Sequence, residues 1–308
     1  MATKPMAELD KYRISKIAPT SLLTSYAKGF SKFIPFADEV SELTHAERAK
    51  KMSLFSKADK ATTITGIITR HRSLDSVIRL LLRTGPENHG VLELGAGMTP
   101  RGLNLALDYP VGYVGIDASE YINLMNGIYQ KIIMKNGLKL KGEYHFENVN
   151  VQDSSEFLNS TSFLDKNNPI LIINEGFLPW FSENQLRGIL PTIREILSMN
   201  PNSKWVTPDV SITKETTGRF FGKDENRVNE DIRENHATDV HENLPSTRAY
   251  AEAFYDSEGF RFVKYRYMLE YLHSELLNLS RRGFDTSVAE NRADAILDMT
   301  ATYVLELK

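Results

Sequence analysis

Between residues 90 and 207, short apolar segments typical of buried strands alternate with amphipathic segments typical of helices. The strand-like segments are 90–94, 113–116, 144–149, 169–173 and 204–207. Strands that alternate with helices in this way form a parallel sheet with helices packed on both of its faces. We therefore predict an α/β fold built on a doubly wound, mostly parallel sheet.

The rest of the chain adds strands and helices to this Rossmann-like core. Segments 260–267 and 301–307 alternate like strands. The predicted sheet therefore has seven strands in total, one of which is an antiparallel edge strand. Helical periodicity dominates up to Leu74, and a further helix is predicted over 75–83. The predicted units are an N-terminal helical cap (1–74), a core (75–209 and 246–308) and a charged, lid-like insertion (210–245).

Local signals mark the starts of several helices in this core. Ser182 and Gln185 have the spacing of a capping box, while Ser119 and Ser246 are predicted N-caps. A helical pair is predicted over 269–279 and 288–299.

The composition excludes several classes of site and partner. The chain has 37 Lys and Arg against 40 Asp and Glu, so no basic excess indicates a nucleic-acid partner. The absence of cysteine excludes disulfides, thiolate nucleophiles and Cys-ligated metal centres. No run approaches the roughly 20 apolar residues of a membrane span, and Glu8 and Asp10 precede any apolar run at the N-terminus. We expect a soluble, cytoplasmic protein without a membrane partner.

A glycine turn follows the first predicted strand, at the place where doubly wound folds bind a nucleotide. Gly95 and Gly97 let the backbone approach a ligand without an intervening Cβ atom. Asp117 lies 20 residues beyond Gly97, at the end of the next strand, where a carboxylate can accept hydrogen bonds from both ribose hydroxyls. The two features predict a cofactor that contains adenosine.

The surroundings of the turn favour S-adenosylmethionine over a dinucleotide. A dinucleotide fingerprint has a third glycine where this chain has Pro100. Glu93 makes the corner acidic, which suits the sulfonium cation of S-adenosylmethionine better than a pyrophosphate. A nicotinamide oxidoreductase is the weaker alternative.

Three motifs resemble those of the leucine carboxyl methyltransferase superfamily, which includes the polyketide O-methyltransferase-like proteins. Leu94-Gly95-Ala96-Gly97-Met98, with Arg101, resembles the family's LGAG-[ML]-D-x-R signature. Val114-Gly115-Ile116-Asp117 resembles its ribose-binding strand end, and the segment 175–181 is similar to its EG-x-L-x-[YW]-[LF] motif. The resemblance spans about residues 20–200 and implies a class I S-adenosylmethionine-dependent methyltransferase.

The same resemblance implies roles for residues that the spacing alone leaves open. It implies that Arg70 and Lys28 hold the methionine carboxylate of the cofactor and that Asp153 faces its adenine. From the residues alone, Arg70 fits a solvated basic turn equally well, and Lys28 fits an exposed helix lysine. Thr99 stands where the family has an aspartate, a departure that bears on the substrate more than on the cofactor.

Further polar and aromatic residues follow the fourth predicted strand. Glu175 is expected to bind the cofactor's ammonium group or to offset its sulfonium, with a helix-capping carboxylate as the alternative. Trp180 and Phe181 are candidate pocket walls, although aromatic residues here are more often part of the core. The cluster His236, Asp239, His241 and Glu242 lacks the spacing of a helical metal motif, and we predict no metal site.

The predicted reaction is methyl transfer to an oxygen atom of a small molecule or of a terminal carboxyl group. A carboxylate acceptor is already ionised at neutral pH and needs no general base. A hydroxyl or amine acceptor needs one, and His145, His273 and Tyr267 are the candidates. The alternative is a non-catalytic protein of the same fold that binds S-adenosylmethionine or S-adenosylhomocysteine as a sensor or partner subunit.

Overall fold

A computed structural model describes residues 18–46, 60–85, 88–118, 122–222, 240–266 and 269–308. Their centre is a seven-stranded sheet with the strand order β3-β2-β1-β4-β5-β7-β6. The strands are β1 (Gly90–Leu94), β2 (Gly112–Asp117), β3 (Glu143–Asn148), β4 (Ile170–Asn174), β5 (Lys204–Thr207), β6 (Phe260–Arg266) and β7 (Thr302–Leu307). The first five run parallel, while β7 is antiparallel to both β5 and β6. The predicted fold class is confirmed.

Helices cover both faces of this sheet. They are α1 (Ala18–Lys28), α2 (Ala37–Leu43), α3 (Lys60–Thr84), α4 (Arg101–Asp108), α5 (Ile122–Asn136), α6 (Ser154–Asn159), α7 (Glu183–Ser198), α8 (Lys214–Phe221), α9 (Val240–Asn243), α10 (Arg248–Ser257), α11 (Leu269–Arg281), α12 (Ser287–Asn291) and α13 (Ala293–Met299). The predicted capping box at Ser182 and Gln185 is confirmed. No helix in these ranges is both long and apolar enough to cross a membrane.

Three predicted helix boundaries are wrong. The helix predicted over 75–83 begins at Lys60, because Ile64 and Ile68 extend its buried face, so α3 runs through the predicted limit between cap and core. Thr247, not Ser246, caps α10 through a hydrogen bond from Tyr250 N–H. The helix predicted over 288–299 is broken at Arg292 into α12 and α13. Ser119 lies outside the described residues.

The predicted insertion at 210–245 contains more regular structure than a loop. Its residues 214–221 form α8 and its residues 240–243 form α9, while 223–239 lie outside the described residues. Ile212, Phe220 and Leu244 pack with Met299 in a small apolar cluster of their own. The division into cap, core and insertion stays a prediction.

Alternation along β1 places a charged residue inside the core. Leu92 and Leu94 pack in the cluster on one face of the sheet, while Val91 packs in the cluster on the other face, with Ile78 of α3. Glu93 is 2% exposed and points to the same face as Val91, because alternate strand residues share a face. A carboxylate buried there needs positive partners.

The strand order reverses at β1, which pairs with β2 on one side and β4 on the other. In doubly wound folds, ligands bind in the crevice outside the carboxyl ends of the strands at such a point. Here the register brings Leu94 opposite both Ile116 and Asn174. The residues that follow these three strand ends therefore share one edge of the sheet.

Candidate functional site

A cavity of about 300 Å³ opens at this edge of the sheet. Seven of the eight predicted cofactor residues line it: Lys28, Arg70, Glu93, Gly95, Gly97, Asp117 and Glu175. Lys28 comes from α1 and Arg70 from α3, so two helices far from the glycine turn in sequence contribute to the same wall.

The glycines of the turn have a backbone conformation that other residues adopt only with strain. Gly95 and Gly97 have φ angles of 62° and 54°, in the left-handed region. A Cβ atom on Gly95 would lie 2.5 Å from the ring of Phe177. The Gly97 N–H donates a 3.0 Å hydrogen bond to Oδ2 of Asp117, so the turn and the end of β2 hold each other in place.

The segment after β4 is fixed by a carboxylate that the sequence reasoning missed. Asp209, 4% exposed, accepts hydrogen bonds of 2.7, 2.7 and 3.0 Å from the N–H groups of Gly176, Phe177 and Leu178. Its Oδ2 also accepts from the Asn174 side chain at 2.7 Å. The sequence signal for Asp209 is its position just after β5, at the same edge of the sheet. These bonds orient the turn that carries Glu175.

Glu175 is the centre of a buried ionic cluster. Its Oε2 lies 2.7 Å from Nη2 of Arg101 and 3.4 Å from Nζ of Lys28, and its Oε1 lies 3.4 Å from Nε of Arg70. Burial alone would raise the pKa of Glu175, but Lys28, His71 and Arg101 outweigh it and hold that pKa well below its ordinary value. Glu175 is therefore a fixed negative charge at the cavity wall.

Arg101 joins this cluster to the strand residue Glu93. The guanidinium is fully buried, with its Nη1 on Glu93 and its Nε 2.5 Å from Oδ1 of Asp75. Glu93 also accepts a 2.6 Å hydrogen bond from the hydroxyl of Tyr113. Glu93 therefore lines the cavity, but its carboxylate is occupied by Arg101 and Tyr113, and its role toward the cofactor stays a prediction.

His71 also belongs to the ionic cluster, although no motif in the sequence points to it. It is fully buried on α3, with Nδ1 2.7 Å from Nη2 of Arg101 and 2.8 Å from Oε2 of Glu175. Burial lowers its pKa to about 4, so the ring is neutral near pH 7. The cluster then pairs three basic side chains (Lys28, Arg70, Arg101) with three acidic ones (Asp75, Glu93, Glu175) around a neutral imidazole.

Asp153 is the one predicted cofactor residue that does not line the cavity. It is the N-cap of α6, where Oδ1 accepts hydrogen bonds of 3.0 and 3.1 Å from the N–H groups of Ser155 and Glu156. Its side chain is exposed to solvent. Thr99, in place of the family's aspartate, is buried and accepts a 3.2 Å hydrogen bond from Arg101 N–H at the start of α4.

Trp180 and Phe181 both line the cavity, and Trp180 Nε1 donates a 3.0 Å hydrogen bond to the carbonyl of Gly176. Two of the base candidates lie elsewhere: His145 stacks on Phe163 at 3.6 Å, and His273 is exposed on α11. The third, Tyr267, lies outside the described residues.

Among the described lining residues, His241 carries an imidazole, and its sequence neighbours raise only the question of a metal site. Its cluster partners His236 and Asp239 lie outside the described residues. Within the described ranges, no group of three or more His, Asp or Glu side chains is arranged to hold a metal ion.

No protein-family model matches the chain, and no curated protein matches it. Among solved structures it is similar to geranyl diphosphate C-methyltransferase from Streptomyces coelicolor A3(2), in complex with Mg²⁺, geranyl diphosphate and S-adenosyl-L-homocysteine. That similarity has 9% sequence identity, 77% coverage of this chain, 78% of that chain and a TM-score of 0.47. A cyclopropane synthase from Mycobacterium tuberculosis is similar at 13% identity, with 75% and 83% coverage and a TM-score of 0.43. Likenesses this distant carry no argument about activity, and the fold class rests on the strand order.

Proposed function

We propose that the protein binds S-adenosylmethionine in this cavity and transfers its methyl group to an oxygen atom of an acceptor. The acceptor oxygen belongs to a carboxylate or a hydroxyl, of a small molecule or of a terminal carboxyl group. The observation that carries the proposal is the convergence of Gly97, Asp117 and Glu175 with Lys28 and Arg70 on one cavity. The resemblance to the leucine carboxyl methyltransferase superfamily points the same way.

The chemistry of the wall fits the ribose, the carboxylate, the ammonium group and the sulfonium of this cofactor. Asp117, at the end of β2, offers a carboxylate to ribose hydroxyls, while Lys28 and Arg70 offer positive charge to the methionine carboxylate. Glu175 offers its fixed negative charge to the ammonium group or to the sulfonium. The aromatic rings of Trp180 and Phe181 add a surface that attracts a cation. The adenine role of Asp153 stays a prediction.

Catalysis of this reaction requires mainly that the protein position the acceptor and exclude water. Methyl transfer is an in-line displacement, so the protein must hold the acceptor oxygen against the methyl carbon in a closed site. The bound cofactor supplies an activated methyl group, and the chain supplies a rigid wall of paired charges on one side. Because those charges are paired before any ligand binds, little reorganisation is needed during the reaction.

Calorimetric titration with S-adenosylmethionine, S-adenosylhomocysteine and NADH tests the proposal. We expect micromolar binding of the two adenosyl ligands and none of NADH. Asp117→Ala should weaken S-adenosylhomocysteine binding about 10- to 100-fold, since hydrogen bonds to charged groups are worth about 1.5–3 kcal/mol. The matched control is Asp256→Ala, which removes an exposed carboxylate outside the cavity lining.

Three results would contradict parts of this assignment. Absence of adenosyl-ligand binding would remove the proposed function, and unchanged affinity in Asp117→Ala would remove the role of that residue. Binding of the cofactor without transfer to any acceptor would favour the non-catalytic alternative. Asp153→Asn keeps an acceptor for the N-cap of α6, so weaker binding in that variant would support its role toward adenine.

A further inference from the structure

One part of the cavity lining, here called the apolar end, consists of hydrocarbon side chains that pack mainly in an apolar cluster of their own. Its side chains are Ile67, Ile212, Phe220, Phe221, Leu244 and Met299. They come from α3, α8, α13 and the segments that flank α8 and α9. The approach of these helices is close: a Cβ atom on Gly66 would lie 2.9 Å from the ring of Phe220. A molecule in this end is surrounded mainly by hydrocarbon.

The uncharged polar lining residues within four positions of these side chains are Thr63, Thr217 and His241. Thr217 lines the apolar end, but its hydroxyl already donates a 2.9 Å hydrogen bond to the carbonyl of Thr213 within α8. His241 lines it from α9, a helix tied to the wall by a 3.3 Å hydrogen bond from the Asn243 side chain to the carbonyl of Pro179. The helix α9 therefore lies beside the segment that follows Glu175.

The cations among the described lining residues are already paired. Among the described lining residues, the Lys and Arg side chains are Lys28 and Arg70, and both lie 3.4 Å from carboxylate oxygens of Glu175. Under the proposed function these two cations are also the partners of the methionine carboxylate. A carboxylate acceptor would therefore find no unengaged cation among the described lining residues, and burial of a carboxylate without a positive partner is strongly unfavourable.

We infer that the methyl acceptor is a predominantly apolar molecule with a neutral hydroxyl group, and that His241 accepts the hydroxyl proton. This inference rests on the proposed function. The acceptor oxygen bonds to the methyl carbon while the carbon–sulfur bond breaks and its electron pair stays on sulfur. The hydroxyl proton passes to an imidazole nitrogen of His241, and the products are a methyl ether, S-adenosylhomocysteine and an imidazolium that returns its proton to water. Imidazole is the side chain most often used for such a transfer near neutral pH.

Matched pairs of probes separate the two kinds of acceptor. Protein saturated with S-adenosylhomocysteine is titrated at pH 7 with 2-naphthol and 2-naphthoate, and with 4-propylphenol and 4-propylbenzoate. Within each pair the hydrocarbon is the same, while the phenol is neutral and the acid is ionised. We expect each phenol to bind at least tenfold more tightly than its acid. Equal affinities, preference for the acids, or no binding of either phenol would overturn the inference.

Transfer of label from S-adenosyl-[methyl-³H]methionine to the same probes tests the role of His241. His241→Gln should leave 2-naphthol affinity within about threefold but lower the rate of transfer about 10²–10⁴-fold, the range expected for loss of a general base. Glu242→Gln, which changes the exposed neighbour on the same helix, should keep the wild-type rate. A normal rate in His241→Gln, or transfer to the acids alone, would contradict the assignment.

The first step of this experiment separates the two proposals. If S-adenosylhomocysteine does not bind, the proposed function fails, and the acceptor inference fails with it. If it binds with micromolar affinity but neither phenol is preferred, the cofactor assignment stands and the acceptor inference alone is wrong.

Discussion

The two ends of the cavity are held together by different kinds of interaction. At the charged end, Glu175 is contacted by Lys28, Arg70, His71 and Arg101, so each side chain is fixed by several others. At the apolar end, aromatic and aliphatic side chains from separate helices meet without directional bonds. The charged end therefore presents one fixed electrostatic surface to a ligand. We infer that the apolar end selects the acceptor by its shape and by exclusion of charge.

This contrast also concerns stability. A buried ionic cluster contributes little when it is intact, because desolvation offsets most of the attraction, but it is costly to break. Apolar contacts contribute in proportion to the area they remove from water and tolerate changes of shape better. Substitutions at the two ends should therefore differ in how far they lower the free energy of unfolding. The following predictions test this difference in order of decreasing effect.

Removal of Arg101 should have the largest effect. Arg101→Met keeps most of the aliphatic volume but leaves Glu93, Asp75 and Glu175 without their shared partner. Loss of one partner from a buried ion pair typically costs 3–5 kcal/mol, so we expect a loss of at least about 3 kcal/mol in the free energy of unfolding. Urea denaturation followed by circular dichroism measures it.

The matched control for this change is an arginine at the surface. Arg261, 64% exposed, lies 2.9 Å from Glu306, and exposed pairs of this kind contribute less than about 1 kcal/mol. Arg261→Met should therefore leave the denaturation midpoint almost unchanged. Similar losses in the two variants would mean that the cluster is solvated in solution and would remove the contrast between the two ends.

Acidification should weaken the charged end through His71. Its pKa is about 4 in the folded protein against 6.5 for an ordinary histidine, so between these values the unfolded chain binds a proton that the folded chain does not. Stability is therefore greatest above pH 6.5 and falls as the pH drops toward 4, by about 3 kcal/mol in total. The pKa of Asp75 and of Glu175 is also lowered, which adds losses of the same sign at lower pH, whereas the raised pKa of Glu93 opposes them.

The pH dependence of urea unfolding between pH 7.5 and 5 measures the contribution of His71 to stability. His71→Gln should flatten the slope of stability against pH in that window, whatever its effect on stability at pH 7.5. His273→Gln, a change at an exposed histidine on α11, should keep the wild-type slope. An unchanged slope in His71→Gln would assign the acid sensitivity to other groups.

The sequence predicted the charged end better than the apolar end because its signals are local. The strand β1, the glycine turn and Asp117 lie within 28 residues of one another, and the spacing of strand ends fixes their meeting at one edge. The partners of Arg101 were not predictable in this way. They depend on the packing of α3 against the sheet, and the threonine-rich start of that helix (Thr62, Thr63, Thr65, Thr69) carries weak helix propensity.

The apolar end had no sequence signal of its own. Ile67, Phe220 and Met299 each fit an ordinary core position, and only the fold brings them together around a space. The acidic and histidine neighbours of His241 in sequence raise only the question of a metal site, whereas its place in the cavity lining depends on the packing of α9, which Asn243 bonds to the Pro179 carbonyl. For Asp209, the position after a predicted strand indicates the edge of the sheet, but its anchoring role depends on β5 lying next to β4, a relation that spacing does not encode.

The smallest effect on stability, and the sharpest separation of the two ends, should come from Phe221→Ala. This ring is only partly buried and lies against Phe220 at 4.8 Å, so we expect a loss of about 1–2 kcal/mol in the free energy of unfolding. Loss of its contact with an apolar acceptor should weaken 2-naphthol binding about tenfold, while S-adenosylhomocysteine affinity should stay within about twofold, because the charged end is untouched. Phe163→Ala, which removes a 55% exposed ring outside the cavity lining, should leave both affinities unchanged. If Phe221→Ala weakened both ligands equally, the cavity would act as one undivided site, and the separation of electrostatic from apolar recognition would be wrong.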